Sequence, residues 1–346
     1  MHPDLVEAVQ LHRDISTEAR KALVGYEREK LLTNVALFSQ LPAIYDEDEK
    51  KRVNAGNVLL EGVPGVGKTY FGVIIAAVTS SRFVMIECNV ETKPSDIIGY
   101  HMINPATGKV EIKWGPIVSA EIALADEINR TSPRTQGGML SALQNKKVTI
   151  DDQTKDLPEF SFVIATMNPL ELGQGTFGLS DAMKDRFAIK IVIGYLPPDE
   201  EQRLVNFDFR KIKLNPLVAK ERVIALRASI EEKVFLHPKL DKYIRRIVTA
   251  SRPYNPERKC YEHSPSELVE RYVEGGASPR ATICFGRLAK TWALLSGERD
   301  EVYPEDIQNL APHVFGHRIE MNPIGETDGI SVDTIIKDVI DRVAVP

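Results

Sequence analysis

The chain has 346 residues, 43% of them apolar and 27% charged, a balance that fits an ordinary globular protein of about two domains. With 44 basic against 49 acidic residues, its net charge of −5 leaves no whole-chain electrostatic footprint for nucleic acid or an anionic membrane. Cys88, Cys260 and Cys284 form no CxxC pair, which argues against structural zinc and for a reducing compartment. No leader-like apolar segment is present, and the longest apolar run, Phe71 to Val78, is too short to span a bilayer, so the expectation is a cytoplasmic protein without membrane insertion.

Residues 5–40 carry apolar residues at helical spacing, with Thr17 as a candidate N-cap and Val24-Gly25 as a break between two pieces. The charged stretch "YDEDEKKR" (45–52) predicts a surface segment leading into the first strand. From Asn57 to Ile193 short apolar runs alternate with helical segments. Strands are expected at 57–62, 82–88, 121–127, 160–169 and 188–195, and helices at 68–80 and 132–144. The alternation predicts an α/β domain with a parallel sheet covered on both faces. The prolines and charges of "YLPPDEEQRL" (195–204) mark a boundary, giving residues 1–196 and 197–346 as two domains. The second is expected to be all-α, with helices at 216–233, 238–251, 279–296, 304–310 and 332–343 and a polar loop at 252–265.

The loop after the first strand reads "EGVPGVGKTY". Gly62, four residues and then Gly67-Lys68-Thr69 complete GxxxxGK[ST]. Small residues let successive backbone N–H groups turn inward around phosphate oxygens, and the following helix adds its positive end. Gly62, Val63, Pro64, Gly65, Val66, Gly67, Lys68, Thr69 and Tyr70 are therefore candidate nucleotide-binding residues, against a ligand-free strand–helix turn. Lys68 supplies a point charge for the β- and γ-phosphates, and the Thr69 hydroxyl a ligand for Mg²⁺. "IALADE" ends an apolar strand on Asp126 and Glu127. At that edge Asp126 can hold Mg²⁺ while Glu127 orients or deprotonates water. Asn168, ending "VIATMN", has an amide suited to hold the same water, although Asn-Pro is also common turn punctuation. His313 and His317, four residues apart, are two ligands at most and read as structural.

Taken in order, "GVPGVGKT", "IALADEINR", "VIATMNP", "LSDAMKDRF", "GASPRA" and "VYPEDIQNLAPHVFGHRI" resemble the MoxR family of AAA+ ATPases, from about Val24 to His317. The resemblance implies an AAA+ P-loop NTPase domain followed by an α-helical lid, binding ATP and Mg²⁺. It implies Walker A at Gly62–Thr69, Walker B at Asp126 and Glu127, and sensor 1 at Asn168. It implies an arginine finger at Arg186, reaching a neighbouring subunit's nucleotide, and sensor 2 at Arg280, reaching the γ-phosphate of its own subunit. Read without the resemblance, Arg186 pairs with Asp185 or Asp181. Val24, Gly25 and Tyr26 would lie near the adenine, and Arg130 could face the subunit interface. An insert within helix 2 (about 93–118) and a hairpin before sensor 1 (about 147–160) are also implied, with a turn at "NPATG" and Trp114 packed rather than contacting a client. Gly137-Gly138, inside the helix after Walker B, depart from the family pattern and allow either close packing or a kink.

The implied function is ATP hydrolysis that moves the lid and remodels or matures a partner protein. The implied assembly is a homo-oligomeric ring, a hexamer, working with a von Willebrand A domain protein and a client. The alternative is a nucleic-acid-associated AAA+ motor, disfavoured by the negative charge; a small-molecule kinase would leave the lid arginine without a role.

Overall fold

Five apolar runs of five or six residues become one sheet: the three central runs, 58–62, 122–126 and 162–167, are buried on both faces, while the edge runs 83–87 and 189–193 leave Met85 and Val192 exposed. The computed structural model describes residues 1–42, 53–54, 56–168, 176–208, 211–260 and 262–346. The charged stretch at 45–52 and residues 173–175, which open the loop before "DRF", lie outside the described residues.

The chain opens with α1 (Pro3–Ala19) and α2 (Glu27–Phe38), then the short antiparallel pair β1 (Leu41–Pro42) and β2 (Val53–Asn54). β3 (Val58–Gly62), α3 (Lys68–Val78) and β4 (Phe83–Glu87) begin the α/β region. α4 (Pro94–Ile98) leads into the antiparallel hairpin of β5 (Gly99–Ile103) and β6 (Val110–Trp114), so the 93–118 segment does fold as a small hairpin. β7 (Ile122–Asp126) and α5 (Pro133–Asn145) follow, then a second antiparallel hairpin, β8 (Lys147–Ile150) and β9 (Gln153–Asp156). β10 (Phe162–Met167), α6 (Asp181–Lys184) and β11 (Ile189–Ile193) complete the sheet. The rest, expected to be all-α, is helical apart from one short strand pair: α7 (Pro198–Leu204), α8 (Lys220–Lys233), α9 (Pro238–Ala250) and α10 (Glu267–Tyr272) come first. β12 (Val273–Gly275), α11 (Pro279–Gly297), α12 (Pro304–Phe315), β13 (Glu320–Met321), α13 (Pro323–Thr327) and α14 (Val332–Arg342) end the chain, with β12 antiparallel to β13.

The sheet order is β11-β3-β10-β7-β4, parallel throughout. Alternate residues of each strand serve opposite faces. Val58, Leu60, Ile122, Leu124, Phe162 and Ile164 join a cluster with α1, α2 and α3, and that same cluster runs on into Phe285, Leu288 and Phe315 of α11 and α12. Leu59, Ala123, Ala125, Val163 and Ala165 face the other way, onto Met139, Ala142 and Leu143 of α5.

Several expectations are corrected. Thr17 caps nothing: its hydroxyl donates to the Arg13 carbonyl from inside α1, and the helix starts at Pro3, with the His2 ring accepting from Asp4 N–H. The break between α1 and α2 lies where expected, because Gly25 and Tyr26 both have positive φ (68° and 59°). α8 begins at Lys220, not Pro216. α12 continues past Leu310 to Phe315, through Pro312. α7 and α10 were not anticipated.

α5 runs unbroken through Gly137-Gly138, so the pair makes no kink. A Cβ on Gly138 would stand 2.9 Å from Pro94 Cβ, while one on Gly137 would meet nothing within 4 Å among the described residues. Close packing against the start of α4 is thus the reason for Gly138 alone. Gly138→Ala is expected to destabilise by about 1–3 kcal/mol through overpacking. Gly137→Ala, exposed in a helix interior, is expected to stabilise by about 1 kcal/mol. Urea denaturation of both variants checks the contrast; equal shifts of the same sign would contradict it.

Three histidines set a pH dependence: His317 is buried, held well below its ordinary value by that burial, and His12 and His313 are half-buried. Burial pushes His12, beside Asn34, and His313, against the Lys190 carbonyl, down from 6.5 to about 4. The unfolded chain takes up these protons below the ordinary value and the folded chain refuses them until about 4. Their contribution is therefore full above 6.5 and is lost as pH falls toward 4, by up to about 3 kcal/mol each. Urea midpoints at pH 7 and 4.5 are expected to differ, and His12→Asn with His313→Asn to reduce the slope to the part that His317 supplies; an unchanged midpoint in the parent protein would refute this.

Candidate nucleotide site

At the carboxyl end of β3 the chain turns sharply into α3. Gly62 lies so close to the Ile193 carbonyl of β11 that no side chain fits there. Gly65 and Gly67 take φ of 83° and 87°, the left-handed conformation that turns successive N–H groups to one side. Lys68 Nζ donates to the carbonyls of Gly62 (2.5 Å) and Val63 (2.9 Å), so its ammonium sits inside the curl of the loop. Thr69 is half-buried in the first turn of α3. The Leu23 side chain is 3.0 Å from where a Gly67 Cβ would be, which brings the buried Val24 and the tightly turned Gly25 to the flank of the loop. Tyr26 Oη donates to the Gly194 carbonyl (3.0 Å), tying this segment to the end of β11.

Two strands away, β7 ends on Asp126. The Thr166 hydroxyl of β10 donates to Asp126 Oδ1 (2.7 Å) and accepts from Glu127 N–H (2.9 Å), so one buried side chain fixes both acids. Sequence reading passed over Thr166; its signal is a lone hydroxyl in the apolar run "FVIATM". Glu127 has φ 56° and ψ 48°, unusual for a side chain of its size, and this turns it out of the strand's alternation. Arg130 Nε lies 2.7 Å from Glu127 Oε2. Asn168 is buried, and its carbonyl accepts from Asn129 Nδ2 (3.2 Å). Because β3, β10 and β7 are neighbours, Gly62, Asn168 and Asp126 cap three adjacent strands spanning about 10 Å.

Arg186 and Arg280 stand elsewhere. Ala188 N–H donates to the Asn57 carbonyl (2.8 Å) just before β3, so residues 185–188 lie at the amino ends of the strands. The length of β3 puts roughly 16 Å between that edge and the phosphate loop. Arg280, at the start of α11, has Nη1 2.6 Å from Asp185 Oδ2, and Arg186 Nη1 is 3.9 Å from the same oxygen. The expectation that Arg280 reaches the γ-phosphate of its own subunit is therefore corrected: the lid docks so that both arginines share the edge remote from their own Lys68. Asp185, rather than Asp181, is the acid beside Arg186; Asp181 pairs with Lys184 (3.1 Å). Asn57 Nδ2 donates to the Arg186 carbonyl (3.2 Å) and holds this backbone in place. His317 Nε2 bonds the Phe187 carbonyl (2.9 Å) and His313 Nδ1 the Lys190 carbonyl (3.2 Å), so both rings brace the same segment.

The phosphate loop fits a nucleotide's phosphate chain: two left-handed glycines, a helix amino end and an inward ammonium converge on one point. Residues 57–189 match the family described as ATPases associated with various cellular activities (AAA), and residues 266–339 match the AAA lid domain. The chain is 37% identical to the uncharacterized protein YeaC of Bacillus subtilis, covering all of this chain and 96% of that one. It is 34% identical to Chaperone MoxR1 of Mycobacterium tuberculosis, covering 85% of this chain and 75% of that one. A crystal structure of a candidate ATPase from Cytophaga hutchinsonii superposes with a TM-score of 0.80 at 32% identity, covering 99% and 97% of the two chains. Phosphate loop, paired acids, parallel sheet and helical lid agree with these likenesses: the chain is an ATPase and belongs to the MoxR family of AAA+ proteins.

Proposed function

We propose that this chain hydrolyses ATP at sites shared between subunits of a homo-oligomeric ring, six to a ring, and uses the energy to remodel or mature a partner protein. The placement of Arg186 and Arg280 on the edge opposite their own phosphate loop carries this reading. An arginine needed at a γ-phosphate but held on that edge can serve only another subunit's nucleotide. Within one chain, Gly62 to Tyr70 hold the phosphates, with Val24 and Gly25 toward the base. Thr69 and Asp126 would hold Mg²⁺, which supplies charge neutralisation between the β- and γ-phosphates. Glu127, turned out of β7, takes the proton of the attacking water, and Asn168 holds that water in line. Specific ATPase activity is expected to rise with protein concentration as rings assemble, and to vanish in EDTA. Constant activity per chain down to concentrations where only monomer sediments would overturn the shared site.

The name of the Mycobacterium relative, a chaperone, favours a protein client over a small-molecule product. The first hairpin offers a surface for one: Ile103 and Val110, paired across the strands beside the turn, are each 67% exposed. We place the work in the cytoplasm, with a von Willebrand A domain protein as partner. Ile103→Ser with Val110→Ser is expected to leave basal ATP turnover intact and abolish its stimulation by a client protein. Undiminished stimulation would remove the hairpin from the client path.

A further inference from the structure

We propose that Asp185 is a positioning residue, whose single carboxylate aligns Arg186 and Arg280 as one unit for the neighbouring subunit's nucleotide. The inference rests on the shared-site reading. Ser278 Oγ donates to both carboxylate oxygens (2.9 and 3.0 Å). Arg280 Nη1 binds Oδ2 at 2.6 Å, Arg318 Nε binds Oδ1 at 3.0 Å, and Arg186 Nη1 stands 3.9 Å from Oδ2. Three guanidiniums thus meet one carboxylate, so the cluster keeps surplus positive charge suited to a phosphate.

The three arginines are not equivalent. Arg318 is consumed by the fold: its side chain is 2% exposed and its remaining N–H groups go to the carbonyls of Phe187, Ala188 and Val314. Arg280 and Arg186 keep 24% and 15% exposure, and Arg280 Nε is buried without a hydrogen-bond partner among the described residues. Asp185 is anchored by its backbone. Its N–H donates to the Asp181 carbonyl, and Arg186 N–H donates to the Met183 carbonyl. The carboxylate therefore ties the amino end of α11 in the lid to the loop that bears Arg186, and fixes the separation of the two guanidiniums.

Asp185→Ala is expected to lower kcat by about 10²-fold, the effect of misplacing reacting groups by an ångström. ATP affinity should hold, because the variant's own phosphate loop is untouched. Asp185→Asn, which keeps the bond from Ser278 but loses the charge, should fall between. The deciding measurement mixes Asp185→Ala subunits with Glu127→Gln subunits and reads ATPase activity. Recovery above both parents would mean that Glu127→Gln subunits lend aligned arginines to folded phosphate loops of Asp185→Ala subunits, as proposed. A parallel mixture of Arg186→Ala with Glu127→Gln separates the two levels of the argument. If that control recovers and the Asp185→Ala mixture does not, Asp185 acts only within its own chain and the proposal falls. Near-normal turnover of Asp185→Ala alone would also overturn it. If neither mixture recovers, the shared-site reading itself fails.

Discussion

Glu127→Gln should bind ATP with affinity within a few-fold of the parent and turn it over about 10²–10⁴ times more slowly, the usual share of a positioned general base. The substitution keeps size and hydrogen bonding but removes the basic oxygen. Apart from the ion pair with Arg130, the rest of the site is independent of that carboxylate. The phosphate loop is built by Gly65, Gly67 and Lys68, and Asp126 is held by Thr166, not by Glu127. Glu127 reaches that hydroxyl only through its backbone N–H, which glutamine retains. Equilibrium binding of a fluorescent ATP analogue beside steady-state phosphate release separates the two effects. Turnover within a few-fold of the parent would remove Glu127 from the chemistry.

Arg186→Ala should cost about 10³–10⁵-fold in turnover, the range found when an arginine finger is withdrawn from phosphoryl transfer. Nucleotide affinity should change little, since Arg186 stands at the amino edge of the sheet and Lys68 at the carboxyl edge. The side chain is only 15% exposed, so a folding defect is the competing outcome. Arg186→Lys keeps the charge and stem but loses the fork, and should be nearly as slow while denaturing like the parent. A lysine variant with full activity would make Arg186 an ordinary structural cation.

Much of the fold is legible in the sequence because strands buried on both faces leave unbroken apolar runs. "VLLEG", "IALAD" and "FVIATM" can be read as strands without knowing their partners. The phosphate loop and the acids at the end of β7 are local in the chain and equally readable. α7 has its own signals, Pro198 at the first position and three acids in the first turn, but the same prolines and charges also fit a boundary. The docking side of the lid is a different matter. Arg318 bonds the Phe187 carbonyl and Arg280 bonds Asp185 across 131 and 95 residues of sequence, and no local spacing encodes such contacts. Nor does the pattern show that the lid shares a core with the sheet. α11 and α12 belong to the same hydrophobic cluster as β3 and β7, so motion of the lid against the sheet must work against that packing.

The most direct measurement of the shared site is the ATPase activity of Arg186→Ala and Glu127→Gln subunits, alone and mixed. Each alone should be inactive. In randomly mixed rings about a quarter of the sites combine an intact Glu127 with a neighbour's intact Arg186, so activity should return to about that fraction of the parent's. A mixture that stays as inactive as its components, under conditions where the two variants demonstrably co-assemble, would show that Arg186 does not act across the subunit boundary.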